Sequence, residues 1–243
     1  MLSKKSMGLA YPFDIPGDTG KVFAHHLLKW NREANNRQMP WKNEKDPYRI
    51  WLSEIILQQT RVDQGLKYYE NFTRRFPDVH SLANAKDEEV FKCWEGLGYY
   101  SRCRNLLASA RFISRELNGI FPRDYDSILN LKGVGPYTAA AISSFAFNQP
   151  YAVVDGNVYR VLSRIFLIEK AVDSTEGKKL FSHMAQEILP KKDPGEYNQA
   201  IMDFGAVICK PYPECAICFF SAQCKAFLAG RQDVLPFKEK KVR

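Results

Sequence analysis

The sequence predicts an all-α protein, and three observations lead to this fold class. Apolar residues recur at helical spacing through most of the chain, turns rich in Gly, Pro and Asp separate these segments, and the only short β-branched run is YAVV at 151–154. That run leads directly into a helix start, so no sheet is expected. About ten helices without a sheet predict a two-lobed helical protein whose deepest cleft lies between the lobes.

Each predicted helix follows from its own pattern. Segment 22–30 has apolar residues at helical spacing, and it ends where the chain turns polar through 31–38. Segment 48–57 is apolar nearly all round, which predicts a buried helix. The remaining helical segments are separated by Gly, Pro or Asp-rich turns. They are 62–76, 87–97, 100–117, 136–147, 157–168, 177–189 and 197–208.

The composition favours a polyanionic partner. The chain has 243 residues, enough for one large domain or two small ones. Its formal net charge of +8 is typical of proteins that bind a polyanion. It contains no apolar run of the ~18 residues that a membrane span requires, and Gly and Pro interrupt its N-terminal region, where a signal peptide would need an apolar core. We therefore expect a cytoplasmic, nucleoid-associated protein. Basic residues concentrate at Arg102, Arg104, Arg111 and Arg115, and again at Lys238, Lys240, Lys241 and Arg243.

Four cysteines near the C-terminal end form the most informative motif. Cys209, Cys215, Cys218 and Cys224 have the spacing C-x5-C-x2-C-x5-C. Four thiolates this close in sequence can surround one metal centre, and loops of this length fit round a 4Fe–4S cluster in which each sulfur binds one iron. Zinc bound by four thiolates is the main alternative, although structural zinc usually takes two short knuckles. Two disulfides are more typical of small secreted domains.

The turn LKGVGP at 131–136 opens onto a helix of small residues. Gly133, Val134 and Gly135 would let the backbone approach a partner closely, and the start of the next helix would favour a phosphate. An ordinary corner between two helices is the alternative for a Gly-x-Gly motif alone. The flanking helices favour a helix–hairpin–helix motif, which holds one DNA strand by its backbone and carries no sequence information.

Two acidic residues are distinguished by their surroundings. Glu54 lies inside the apolar segment 50–57, where burial would raise its pKa and let it act as a general acid near neutral pH. A buried pair with an arginine is the alternative for Glu54. Asp155 follows an apolar run and precedes a helix, so we expect an N-cap that stays ionised. A proton-holding carboxyl beside an ionised one is the arrangement that cleaves glycosidic bonds.

Several longer motifs resemble one family. The chain contains WLSEIILQQT at 51–60, GLGYYSR at 96–102, DGNV at 155–158 and NQAIMDFGA at 198–206. Together with the hairpin and the cysteine spacing, they resemble the adenine-specific (MutY-type) branch of the endonuclease III superfamily of base-excision DNA glycosylases. The similarity runs from about residue 22 to residue 228, which is most of the chain.

The resemblance implies a monomeric protein with two lobes. A six-helix barrel with the helix–hairpin–helix motif would span 47–149, and a 4Fe–4S cluster lobe would combine 21–46 with 150–229. Residues 230–243 resemble the start of a linker to a second, Nudix-like domain, absent here, that reads 8-oxoguanine. Double-stranded DNA with adenine opposite 8-oxoguanine or guanine would lie across the groove between the lobes.

The resemblance also implies roles for four residues. Glu54 would protonate a ring nitrogen of adenine, Asp155 would stabilise the cationic sugar, and Asn157 would hydrogen-bond near Asp155 or the departing base. Tyr137 takes the position at which bifunctional relatives have a lysine that forms a Schiff base. A phenol cannot form that bond, so the resemblance implies a monofunctional glycosylase.

Flipping adenine out of the duplex would leave a gap beside the opposite base. The resemblance assigns the gap and the opposite base to Gln58, Gln59, Thr60, Leu97 and Tyr99, and it places Arg37 and Trp41 near the adenine pocket. Two alternatives differ in class. One is a bifunctional glycosylase and AP lyase of the endonuclease III type, against which Tyr137 argues. The other is a non-catalytic DNA-binding iron–sulfur protein, which would leave Glu54 unexplained.

Overall fold

The computed structural model describes residues 17–239, which form twelve α-helices and one short 3-10 helix, with no β-strand. The all-α prediction is confirmed. Among these helices, none is both long and apolar enough to cross a bilayer. The predicted basic residues Lys240, Lys241 and Arg243 lie outside the described part of the chain. The helices are α1 (Gly17–Glu33), α2 (Pro47–Leu57), α3 (Val62–Arg75), α4 (Val79–Asn84), α5 (Asp87–Trp94), α6 (Tyr100–Glu116), α7 (Tyr125–Leu129), α8 (Pro136–Phe147), α9 (Gly156–Phe166), α10 (Thr175–Ile188), α11 (Pro194–Val207) and α12 (Lys225–Leu228).

Side-chain caps explain where several helices begin. A carboxylate or hydroxyl oxygen at the N-cap accepts a hydrogen bond from a backbone N–H of the first turn, which has no partner within the helix. Proline at the first position of α2, α8 and α11 supplies the helical φ without needing such a partner. The capping residues are Asp46 for α2, Asp78 for α4, Asp124 for α7, Asp155 for α9 and Ser174 for α10.

The short helices α4, α7 and α12 were not predicted from the sequence. Each spans fewer than two turns, so apolar periodicity has too few positions to show itself. The predicted helix 87–97 is also too long, because α5 ends at Trp94. Gly96 and Gly98 follow with φ values of 94° and 70°, which a right-handed helix does not allow.

Two hydrophobic cores divide the helices into two groups. The barrel lobe, α2–α8, is packed around large buried side chains such as Trp51, Phe72 and Trp94. The cysteine lobe, α1 with α9–α12, is packed around Leu27, Phe181 and other buried aromatic residues. The predicted domain limits at 47–149 and at 21–46 with 150–229 stay a prediction. Segment 34–46, between α1 and α2, connects the two lobes along the chain.

Candidate active site

A cavity of about 750 Å³ is lined by residues of both lobes. Helices α2 and α8 of the barrel lobe form one side, and the start of α9, helix α11 and segment 34–46 form the other. Most of the predicted catalytic and base-contacting residues meet here, although they come from distant parts of the chain. They are Arg37, Trp41, Glu54, Gln58, Gln59, Thr60, Tyr99, Tyr137, Asp155 and Asn157.

Glu54 lies on α2 and is itself buried, and most of its neighbours on this helix pack in the barrel core. The pKa of Glu54 is raised to about 7, mainly by burial and also by the nearby Asp155 carboxylate, while a hydrogen bond with Tyr137 opposes the rise. Among the described residues, Glu54 forms no ion pair with an arginine or a lysine. The alternative of a buried pair between Glu54 and an arginine is therefore wrong. A carboxyl group with this pKa can both hold and release a proton near neutral pH.

Tyr137 is the second residue of α8 and lines the same cavity as Glu54. Its hydroxyl is a hydrogen-bonding partner of the Glu54 carboxyl group. Burial, together with the neighbouring carboxylates Glu54 and Asp155, raises the pKa of Tyr137 well above its ordinary value, so the phenol stays protonated. Tyr137 is therefore a neutral hydrogen-bond donor to the Glu54 carboxyl group.

Asp155 is the N-cap of α9, as predicted, with its Oδ1 accepting from the backbone N–H of Val158 at 2.8 Å. Its Oδ2 accepts from the Asn157 side-chain amide at 2.8 Å. Burial raises the pKa of Asp155, and these two hydrogen bonds oppose that rise. Asn157 is held in turn by Arg160, whose Nη2 donates to Asn157 Oδ1 at 2.8 Å and whose Nε donates to the carbonyl of Cys209 at 2.7 Å.

Tyr99 stands at the mouth of the cavity with 61% of its surface exposed. It precedes α6 in a left-handed conformation, with φ 46° and ψ 55°. Leu97 differs from the prediction of a DNA contact, because it is only 6% exposed and packs in the barrel core. The turns at Gly96 and Gly98 direct Leu97 inward and leave Tyr99 and, to a smaller extent, Tyr100 exposed.

Arg102 has a structural position that the charge pattern did not indicate. Its guanidinium group is buried and donates to the carbonyls of Ile55, Ile56 and Gln58, where α2 ends. The same group donates to the carbonyl of Leu97 at 3.3 Å and lies over the Tyr99 ring, 5.4 Å from its centroid. Arg102 thus supplies donors for helix-end carbonyls that α2 leaves without partners.

The predicted basic face of 101–115 is smaller than its four arginines suggested. Arg102 is buried, and Arg111 pairs with Asp87 at 2.5 Å while also donating to the carbonyls of Ala83 and Ala85 at the end of α4. Arg104 and Arg115 are exposed. The spacing of the arginines could not show which of them are exposed, because a guanidinium group serves equally well as a phosphate ligand or as a donor to carbonyls.

The glycine turn forms a hairpin between α7 and α8, outside the cavity. Gly133 has a φ of 81°, and a Cβ atom there would lie 2.7 Å from the Cβ of Asn105 on α6. The Ser109 hydroxyl donates to the carbonyl of Lys132 at 3.1 Å, which fixes the hairpin to the same helix. Val134 is buried, and Gly135 is the N-cap of α8. The phosphate contact of Gly133, Val134 and Gly135 stays a prediction.

All four predicted cysteine ligands line one small cavity at the end of the cysteine lobe, and none forms a disulfide. In residues 17–239 no group of three or more His, Cys, Asp or Glu side chains has the arrangement of a metal-ion site. Arg164 fixes the loop after the first cysteine, donating to the carbonyls of Lys210 at 2.6 Å and Pro211 at 3.0 Å. It also donates to Cys209 Sγ at 3.5 Å.

Several residues on the cavity wall were not among the predicted site residues. Met39, Lys42, Gln199 and Met202 line it, and the buried carboxylate of Asp203 lies directly behind them. Gln199 and Asp203 belong to the NQAIMDFGA motif, so their position in that motif was the available signal. The polar residues inside an otherwise apolar helix α11 are a second signal, since buried polar groups require partners.

Comparison with known proteins identifies the family. Residues 52–191 match the family described as HhH-GPD superfamily base excision DNA repair protein. The chain belongs to this superfamily. The resemblance found from the motifs is therefore confirmed at the family level, and the helix–hairpin–helix at 131–136 lies within the matched residues.

Relatives with similar sequences share a name. The adenine DNA glycosylase of Buchnera aphidicola subsp. Baizongia pistaciae is 38% identical over 88% of this chain and 60% of that protein. The human adenine DNA glycosylase is 40% identical over 88% of this chain and 41% of that protein. This chain thus spans less than two thirds of the length of either relative. A solved thermostable thymine-DNA glycosylase superposes with a TM-score of 0.80 and 30% identity, covering 89% of this chain and 100% of that one.

Proposed function

We propose that this chain is an adenine DNA glycosylase that hydrolyses the N-glycosidic bond of adenine opposite 8-oxoguanine or guanine in double-stranded DNA. One observation carries the proposal: Glu54, with a pKa of about 7, shares a cavity wall with Asp155. A proton donor for the leaving base and an anion for the sugar are the two groups that glycosidic hydrolysis requires. The relatives named adenine DNA glycosylase support adenine as the base.

The proposed mechanism begins with extrusion of the deoxyadenosine nucleotide into the cavity. Glu54 donates its proton to a ring nitrogen of adenine, and the bond between C1′ and N9 breaks, with the electron pair going to the base. The sugar gains positive charge, which the Asp155 carboxylate stabilises from a position fixed by Val158 and Asn157. Water adds to C1′ and releases a proton, so the products are free adenine and an abasic site.

The proposed reaction stops at the abasic site. Strand cleavage by a glycosylase requires an amine that forms a Schiff base with C1′. Tyr137 occupies the corresponding position, and its hydroxyl is protonated and bonded to Glu54. Its function in the proposed mechanism is to donate this hydrogen bond, which orients the acid.

The proposal includes a 4Fe–4S cluster held by Cys209, Cys215, Cys218 and Cys224. Four free thiols around one apolar cavity form the donor set that such a cluster takes, and the Arg164 guanidinium group would offset part of its negative charge. The bound cluster would crosslink the loops of the cysteine lobe. Metal analysis of the purified chain should give about four irons per chain; one zinc per chain would contradict this assignment.

Base release from defined duplexes tests the function. We would incubate the chain with duplexes that contain adenine opposite 8-oxoguanine, adenine opposite guanine, or thymine glycol, and measure strand breaks with and without later alkali. The proposal expects breaks in the two adenine duplexes after alkali only. Breaks without alkali, or activity on thymine glycol, would favour the bifunctional alternative. Binding without base release in any duplex would favour the non-catalytic alternative.

A further inference from the structure

Asp203 on α11 is a buried charge beside the cavity that the proposed mechanism leaves without a role. Its side chain is 0% exposed. Oδ1 accepts from Arg37 Nη1 at 2.6 Å and from Gln199 Nε2 at 3.0 Å. Oδ2 accepts from Asn35 Nδ2 at 2.8 Å and lies 3.1 Å from Lys42 Nζ. Each oxygen therefore has two donors, which fills the acceptor capacity of a carboxylate.

Three of these donors belong to segment 34–46, which forms a wall of the cavity. The segment has no helix, and its backbone hydrogen bonds are local, such as Lys42 N–H to the Met39 carbonyl at 2.9 Å. Lys42 Nζ also donates to the Arg37 carbonyl at 2.9 Å, which closes the segment on itself. Such a segment has little rigidity of its own, so a contact with a helix must fix its position.

We propose that Asp203 is a positioning residue for the base pocket: its carboxylate fixes Arg37, Lys42 and Gln199, which line the cavity, in the arrangement that receives the extruded base. The inference rests on the proposed function. The cations are 24% and 11% exposed, so both are paired largely out of water. Without the carboxylate, two positive charges would lie close together with no counter-charge, and segment 34–46 would move away from α11.

Trypsin provides a test that does not depend on catalysis, because Arg37 and Lys42 are themselves trypsin sites. We would digest wild type and Asp203→Asn under limiting conditions and follow cleavage after both residues by mass spectrometry. The variant should be cut there at least roughly tenfold faster, because the pairing that resists local opening is lost. The control is Glu169→Gln, which removes an exposed ion pair with Arg231 in the same lobe, away from the cavity. It should be cut as slowly as wild type.

Single-turnover adenine release tests the positioning role itself. Asp203→Asn should lower the rate constant roughly 10- to 100-fold, since a displacement of about 1 Å at a reacting group has this effect. Duplex affinity should change by less than about threefold, because phosphate contacts supply most of it. In an Arg37→Gln/Lys42→Gln background the same substitution should have little further effect, because residues that act through one another are not additive. A side chain with only a general structural role would instead give additive losses.

The outcomes separate this inference from the proposed function. If wild type releases no adenine, the proposed function fails, and the digestion still shows whether Asp203 holds segment 34–46. If Asp203→Asn resists trypsin and releases adenine as wild type does, the inference is wrong. If Asp203→Asn does not fold, the single variants Arg37→Gln and Lys42→Gln test the pairing of segment 34–46 with Asp203 by removing one cation at a time. Faster cleavage at the remaining site supports the inference, and unchanged cleavage overturns it.

Discussion

The two lobes each place a buried carboxylate beside the same cavity, and the surroundings of the two groups differ. Glu54 of the barrel lobe lies on an apolar helix, has a hydrogen bond with Tyr137, and has a pKa raised to about 7. Asp203 of the cysteine lobe accepts from two cations and two amides. Burial is common to both. The partners differ, because Glu54 meets a neutral phenol whereas Asp203 is paired with two cations that it holds in place.

The largest effect should come from removing the proton donor. Glu54→Gln keeps the size of the side chain but cannot protonate adenine, so adenine release should fall by about 10²- to 10⁴-fold or more. Single-turnover assays on a duplex with adenine opposite 8-oxoguanine measure the rate, and fluorescence anisotropy with the same duplex should show nearly unchanged affinity. Release at the wild-type rate would place the general acid somewhere other than α2.

Asp155→Asn should have the second largest effect. The amide can still cap α9, so the free energy of unfolding should fall by no more than about 1 kcal/mol. Loss of the negative charge beside the sugar should lower the rate roughly 100-fold. Asp124→Asn is a matched control, since Asp124 also caps a helix, accepts from Ser127 N–H at 2.9 Å and lies away from the cavity. Equal rate losses in both variants would assign Asp155 a capping role only.

Replacing Glu54 and replacing Asp203 should have opposite effects on the free energy of unfolding at pH 8. The folded pKa of Glu54 is raised from 4.5 to about 7. Its ionisation therefore opposes folding, and stability falls as the pH rises through this window. Glu54→Gln should accordingly raise the free energy of unfolding by up to about 3 kcal/mol at pH 8, and by less at pH 5. Asp203→Asn should lower it by about 3 kcal/mol, because two cations lose their partner. Urea unfolding at both pH values measures this, and shifts of the same sign at pH 8 would refute the contrast.

The smallest effect should be a change in pH dependence. The hydrogen bond from Tyr137 lowers the pKa of Glu54, so Tyr137→Phe should raise that pKa. Because the acid must be protonated to act, the rate of adenine release falls as the pH rises through its pKa. The midpoint of this fall, expected at about pH 7 in wild type, should move to higher pH in the variant. A midpoint that stays in place or moves down would show that Tyr137 does not contact the acid during the reaction.

Much of the fold and of the site could be predicted from the sequence because the signals were local. The apolar segment around Glu54 indicated burial, and burial is the main cause of its raised pKa. Asp155 stands directly before a helix, so its capping role needed no knowledge of the tertiary structure. The long helices gave enough repeats of the apolar pattern to be recognised.

The remaining features depend on contacts between distant parts of the chain. Asp203 is separated by 166 residues from Arg37 and by 168 from Asn35, so no short motif contains the pairing. The charge of Arg102 was visible, but its burial was not, since its acceptors are carbonyls that any sequence supplies. Leu97 belonged to a motif with exposed residues, and only the backbone turns on either side show that it faces inward.

The position of Arg102 has a mechanical consequence. One guanidinium group holds the end of α2, the helix that carries Glu54, and the turn that presents Tyr99. Arg102 thereby fixes the position of the Tyr99 ring relative to the Glu54 carboxyl group. In the proposed function the ring would enter the duplex and the carboxyl group would meet the base. Under the proposed function, loss of the Arg102 guanidinium group would therefore loosen the acid and the exposed ring together.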